Sequence, residues 1–365
     1  MKKRLTTLTE WMKSYSIDAA FITSTENVFY LSGFYSDPHE RLLGLAVFQE
    51  SEPFLICPAM EKHDAKNAGW DDEIIGYSDI DQPWELVHKA VTKRIKNVRK
   101  IAIEKEHMNV ERFEQMTNRF ERATFLSVEE KMRKLRLIKD DQELQKITEA
   151  CELADFAIET GVNEIKEGKT ELDVLAAVEF ALKQKGVSEM SFSTMVLTGA
   201  NAASPHGAPG LTKIQKGDFV LFDLGVIVDG YCSDMTRTVA YYDINEKQQE
   251  IYETVLTAQK AALNRCKPGI TCAEVDLTAR RIIAEAGYAR FFPHRLGHGL
   301  GISVHEYPSL NETNPLPLEE GMVFTIEPGI YVPTVAGVRI EDDVVVTKDS
   351  FKVLTKYPKE LQIIK

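Results

Sequence analysis

Asp223, Asp234, His298, Glu327 and Glu341 follow one another through the carboxy-terminal half of this 365-residue chain. Each lies in or beside an apolar, strand-like run: residues 220–228 hold the first, residues 322–327 the fourth and residues 338–341 the fifth. A carboxylate carried into an apolar core is costly unless it is paired, hydrogen-bonded or bound to a metal. Several of them converging, with one imidazole, call for a cation of compensating charge. A divalent ion held there could act as a Lewis acid and would acidify bound water from a pKa of about 15.7 towards about 7.

The first two carboxylates can be placed from local sequence. Asp229-Gly230 is a two-residue hairpin turn between residues 226–228 and 231–232. A turn of that length pairs Val228 with Tyr231, sets Gly225 opposite Asp234 and Asp223 opposite Thr236, and puts Asp223, Asp234 and Thr236 on one face. The aspartates are then diagonal neighbours roughly 7–8 Å apart at the backbone, able to serve two metals about 3.5–4 Å apart. A slip of one residue would send them to opposite faces. Around them fall the histidines of the second half, His206, His294, His298 and His305, three of them in a glycine-punctuated stretch over residues 294–305. Those glycines do not make a nucleotide fingerprint, because no βαβ context with a downstream acid accompanies them.

These groups need a scaffold, and the sequence supplies it twice. Residues 166–174 and 267–275 share the pattern K-x-G-x-T-x-x-[DE]-V, with Thr170 and Thr271 standing 101 positions apart. Each Thr is an N-cap with an acid three residues on. Each is followed by a helical stretch ending at Gly186 or Gly287 and preceded by a long helix, near residues 140–159 and 246–264. A duplicated helix–helix–strand unit predicts a pseudo-twofold α+β domain whose strands converge on a central cleft. Before it, residues 1–131 alternate strands (19–23, 42–48, 54–57, 101–104, 124–128) with helices (6–14, 84–96, 110–120), the pattern of a smaller α/β domain. Residues 129–159 read as a charged helical connection. The domains expected are therefore 1–131 and 132–365.

Composition excludes several classes of function. A net charge of −12 with 27% charged and 44% hydrophobic residues describes a globular chain unsuited to nucleic acid or an anionic membrane; the basic run at residues 133–139 reads as a solvated helix face. There is no apolar signal core after residues 1–4 and no run long enough to span a bilayer. Five scattered cysteines without C-x-x-C read as reduced thiols of a cytoplasmic protein.

The segments Asp223-Leu224-Gly225, Ser233-Asp234-Met235-Thr236-Arg237-Thr238, Gly297-His298-Gly299-Leu300-Gly301, Ile326-Glu327-Pro328-Gly329 and Arg339-Ile340-Glu341-Asp342 resemble those of the pita-bread metallopeptidases, nearest to the Xaa-Pro dipeptidases (prolidases) and aminopeptidases P. The resemblance covers essentially the whole chain, including a creatinase-like amino-terminal domain, and no ligand position departs from it. It implies two divalent ions: Asp223 chelating one, Asp234 and Glu341 bridging, His298 binding the other, and Glu327 completing the shell and moving a proton to the leaving nitrogen. Oxygen-rich ligation with one imidazole suits Mn²⁺, while affinity order leaves Co²⁺ and Zn²⁺ open. His305 and His206 correspond to cleft histidines that donate to the substrate or its oxyanion. Thr236 is either a support for the ligands or strand filler, and His294 either a cleft residue or a structural one.

The substrate that resemblance implies is a small peptide with proline after the scissile bond, a tertiary amide with no N–H. A dipeptidase must read a free carboxylate, for which Arg295 and Arg339 are candidates; Arg339 could equally orient Glu341. Phe192 either lines a ring pocket or belongs to the core. His39, in the loop of residues 37–41, is a candidate for gating substrate in a homodimer of the kind relatives form. The short amino-terminal domain favours a dipeptidase; the alternatives are an aminopeptidase P acting on longer peptides and a non-catalytic binding module, which ligand loss would mark.

Overall fold

The computed structural model describes residues 1–205 and 207–365. They form two compact units, Met1–Arg136 and Leu137–Lys365. Among the described residues no helix is long and apolar enough to cross a membrane, and all five cysteines are free and buried.

The first unit holds helices α1 (Lys2–Ser14), α2 (Thr25–Ser32), α3 (Lys62–Asn67), α4 (Pro83–Arg94) and α5 (Val110–Arg119), with strands β1 (Ala19–Ile22), β2 (Gly44–Phe48), β3 (Phe54–Pro58), β4 (Glu73–Tyr77), β5 (Lys100–Ile103) and β6 (Thr124–Ser127). The sheet is mixed, in the order β4-β3-β2-β1-β5-β6, with β1 antiparallel to β2 and parallel to β5. Apolar runs located five of its strands. The sixth, β4, escapes a sequence reading because it is a half-exposed edge strand that opens on Glu73. His39 sits in this unit at φ 54°, exposed, beside Asp37 at 3.4 Å.

The charged helical connection consists of two helices, α6 (Glu129–Leu137) and α7 (Asp141–Asn163), the second starting where the sequence predicts the long helix of residues 140–159. Asp140 breaks it: its side chain caps Glu143 N, and Glu143 answers onto the Asp140 N–H, so the chain restarts there instead of continuing.

The second unit is built from two similar halves. The first runs α7, α8 (Glu171–Gln184), β7 (Met195–Thr198), β8 (Phe219–Leu224), the short β9 (Ile227–Val228) and β10 (Tyr231–Cys232), and β11 (Met235–Tyr241). The second runs α9 (Glu246–Arg265), α10 (Cys272–Glu285), β12 (Gly297–Gly299), β13 (Glu306–Leu310), β14 (Val323–Ile326), the hairpin of β15 (Gly329–Val332) and β16 (Ala336–Arg339), then β17 (Asp342–Val346), β18 (Phe351–Val353) and β19 (Ile363–Ile364). The helices α8 and α10 are both 14 residues long, and Thr170 and Thr271 both close full capping boxes. Each chain then turns at a glycine in the left-handed region, Gly186 at φ 89° and Gly287 at φ 86°, where a side chain would be strained. The sheets run β19-β11-β8-β7 and β13-β12-β14-β17-β18, and the helix pair of each half covers its own sheet with a continuous apolar core.

Candidate metal centre

The hairpin register places the first two carboxylates as the turn requires. Val228 faces Tyr231 and Ile227 faces Cys232 across Asp229 (φ 47°) and Gly230 (φ 81°), both left-handed as a two-residue turn demands. Asp223 pairs with Thr236 across β8 and β11. Asp234, two residues before Thr236, therefore shares its face. In the second half Glu327 follows β14, and Glu341 lies between β16 and β17 on the returning strand. His298 is the middle residue of β12, its N–H donating to Thr325 Oγ1 at 3.2 Å.

These residues meet. One ligand atom each from Asp234, His298 and Glu341 lies within 4.8 Å of the others, and all three side chains are buried. His298 Nε2 stands 3.6 Å from Asp234 Oδ2 and 3.3 Å from Glu327 Oε1. Asp223 and Glu327 line the same cavity of about 320 Å³.

Electrostatics make the cluster a good cation cage. Burial, then Glu341 and Asp223, push the Asp234 carboxyl well above its ordinary range. Burial, then Glu327 and Asp223, do the same to Glu341. Burial raises Asp223 as well, against the pull of Arg339. Glu327 differs: burial opposes its ionisation, but His298, His294 and Arg339 hold it down to about 2. Among the described residues nothing hydrogen-bonds the buried Asp223 Oδ1. Crowded carboxyls driven to hold protons, with an acceptor left unpaired, are the donor set a hard divalent ion would relieve; the residues fit the metal the sequence implies.

A second layer fixes these groups. Arg339 donates through NH2 to Asp223 Oδ2, through Nε to Thr236 Oγ1 at 3.0 Å and through NH1 to the Tyr331 hydroxyl at 2.7 Å. The Thr236 hydroxyl donates to Glu341 Oε2 at 2.6 Å, so it holds a carboxylate of the cluster and is not filler. The Tyr331 hydroxyl also meets His294 Nε2 at 3.0 Å. Arg339 is thus engaged inward, on Asp223 and through Thr236 on Glu341, although it borders the cavity. Arg295 borders it too, and among the described residues its guanidinium has only a long contact of 3.5 Å, to Ser309 Oγ.

His305 stands at the mouth, its ring edge-on to His298 at 4.3 Å. Partial burial, then His298 and Arg295, lower it to about 4, so the ring is neutral near pH 7. Burial lowers His294 as well. Phe192 lines the cavity, with Met195 and Pro205, and is half-buried, not a core residue. His206 lies outside the described residues. His39 belongs to the first unit, where its N–H donates to Asp37 Oδ1 at 2.9 Å.

Sequence reasoning missed Tyr331 and Asp343. Tyr331 is hidden in an apolar strand and nothing in its spacing marks it. Asp343 is fully buried behind the centre, accepting from Asp234 N at 2.9 Å and Cys151 Sγ at 3.3 Å, and burial pushes it up to about 8. Three successive acids, 341–343, inside an apolar strand were the available signal.

Comparison with known proteins agrees with this geometry. Residues 145–348 match the model of metallopeptidase family M24, and residues 4–138 that of the creatinase/prolidase N-terminal domain. The chain is 56% identical to the Bacillus subtilis protein named "Putative dipeptidase YkvY", over 99% of each chain. The crystal structure of the prolidase from Pyrococcus horikoshii OT3 superposes with a TM-score of 0.91 at 39% identity, covering 98% of this chain and 99% of that one. The X-Pro aminopeptidase from Thermotoga maritima gives 0.87 at 31%, covering 96% and 98%.

Proposed function

This chain belongs to metallopeptidase family M24, with a pita-bread catalytic domain preceded by a creatinase-type domain, and from that premise we propose that it is an Xaa-Pro dipeptidase. The observation that carries the proposal is the buried convergence of Asp234, His298 and Glu341 in a cavity shared with Asp223 and Glu327. These five would hold two divalent ions, Mn²⁺ by the hardness of the donors. When bound, such ions supply a polarised carbonyl and an acidified water.

The chain's own groups would do the rest. Glu327, ionised at neutral pH, takes a proton at its carboxylate and returns it to the proline nitrogen as the C–N bond breaks. The neutral ring of His305 donates its N–H to the developing oxyanion. His206 is a second such donor by family correspondence. Arg295, the cavity arginine not engaged inward, takes the substrate carboxylate. Phe192 gives the proline ring an apolar wall, and His294 holds the Tyr331 hydroxyl towards Arg339. The volume, at the small end of the range of about 300–1,000 Å³ typical of ligand sites, favours a dipeptide. We place the protein in the cytoplasm as a homodimer, with His39 as a gating residue.

The likeness to an X-Pro aminopeptidase sustains a second reading, action on longer peptides. The Mn²⁺-loaded protein is to be assayed on Xaa-Pro and on Xaa-Pro-Yaa-Zaa. Cleavage of the dipeptide is the expected result; cleavage of only the longer peptide overturns the dipeptidase.

A further inference from the structure

We propose that Glu171, in the first turn of α8 and outside the metal centre, is a positioning residue that clasps one wall of the cleft. Its side chain is 0% exposed. Oε1 accepts from Thr198 N at 2.8 Å and Asn201 Nδ2 at 2.9 Å. Oε2 accepts from Asn201 Nδ2 at 3.0 Å and Gly210 N at 2.7 Å. The donors come from both ends of the segment that leaves β7 at Thr198 and returns at Gly210, so one carboxylate closes the loop on itself. Among the described residues no cation pairs with Glu171. A buried carboxylate without a cation persists only where such charge-assisted bonds replace its water.

That loop has two further attachments. It carries Pro205 into the cavity lining. Its Ala202 carbonyl packs so closely on Gly337 that a Cβ there would lie 1.7 Å from the oxygen, and Gly337 stands two residues before Arg339 on β16. The cleft wall is therefore pinned between Glu171 and the strand that carries the arginine bonded to Asp223.

The duplication supplies an internal control. Glu171 N bonds Thr212 O at 3.1 Å and Leu172 N bonds Gly210 O at 3.2 Å; in the second half Cys272 N bonds Leu316 O and Ala273 N bonds Asn314 O, both at 2.9 Å. The backbone arrangement is repeated, yet the residue 101 positions after Glu171 is Cys272, packed in the apolar core. The helix start does not require an acid there. The loop does.

The kinetic arm of the test rests on the peptidase reading; the exchange arm does not. In the full-length Glu171→Gln variant one of the two acceptor oxygens becomes a donor facing a backbone N–H. Amide hydrogen exchange over the described loop residues, 199–205 and 207–210, is expected to accelerate at least about 10-fold, in keeping with the loss of a hydrogen bond to a charged group, while α7, α8 and β8 keep their protection. With Mn²⁺ content at the wild-type level, kcat/KM for an Xaa-Pro dipeptide should fall about 10-fold, chiefly through KM. Asn201→Ala, which removes a donor and leaves Glu171 in place, should move both readouts the same way by less. Unchanged exchange over those loop residues, or exchange rising equally throughout α7 and α8, overturns the assignment. Wild-type protein that fails to cleave Xaa-Pro sinks the dipeptidase reading and leaves the exchange result to decide on Glu171.

Discussion

The two halves of the catalytic unit share a scaffold and divide the chemistry. Both begin with a long helix, a capping box and a 14-residue helix, and both present an acid, a β-hairpin and a second acid. In the first half the acids are Asp223 and Asp234 around a two-residue turn. In the second they are Glu327 and Glu341 around the longer hairpin of β15 and β16, and the half adds His298 on β12. The first half thus brings short, stiff carboxylates on a tightly registered ladder. The second brings longer side chains and the imidazole, and in the proposed mechanism its Glu327 would carry the mobile proton. In the proposed centre the repeated scaffold would set where the ligands stand, and the differing side chains what each one does.

The largest test of that division removes ligands from either half. Asp234→Ala and Glu341→Ala should each abolish peptidase activity and lower bound metal, a loss beyond the roughly 100-fold that outer-layer changes cost. Metal analysis beside kcat/KM checks it, and a variant of one half that kept full activity would break the shared centre. Next is Arg339→Met, which leaves Asp223 buried without its cation. Removing one partner of a buried pair costs about 3–5 kcal/mol, so denaturant unfolding of the chelated protein should shift markedly. His305→Ala separates chemistry from ligation, with kcat down about 100- to 1,000-fold and bound metal unchanged.

The smallest effects belong to the scaffold and should be equal in the two halves. Thr170→Ala and Thr271→Ala each remove an N-cap, worth about 1 kcal/mol, with kcat intact. At each cap the backbone N–H holds Asp173 or Glu274 below its ordinary value, and the Thr hydroxyl, the group that Ala removes, lowers it further. A depressed carboxylate stabilises the fold above its unfolded pKa and loses that contribution as pH falls through the folded value. The two cap variants should therefore fall behind wild type less in acid than at neutral pH, measured as thermal midpoints.

The legible part of the site was what local geometry dictates. Asp229-Gly230 and strict alternation placed Asp223, Asp234 and Thr236 on one face, and the repeat located α8 and α10 with their caps. Illegible parts depend on burial against distant chain. Tyr331 and Glu171 occupy ordinary-looking positions, Asp343 is marked only by the run of acids around it, and their partners lie up to 37, 39 and 192 residues away respectively. Arg339 was legible only as a pair of roles, a substrate carboxylate or Glu341, and the fold turns it inward, onto Asp223 and through Thr236 onto Glu341. The start of α7 at Asp140 was legible, and the structure adds the reciprocal Asp140–Glu143 cap behind it.

Titrating metal-free protein with Mn²⁺, with stoichiometry read by calorimetry, puts the cluster to its most direct trial. Two ions per wild-type chain and fewer than two in Glu341→Gln are the predicted result. Wild-type protein that binds none, or a Glu341→Gln variant that still binds two with unchanged affinity, would contradict it.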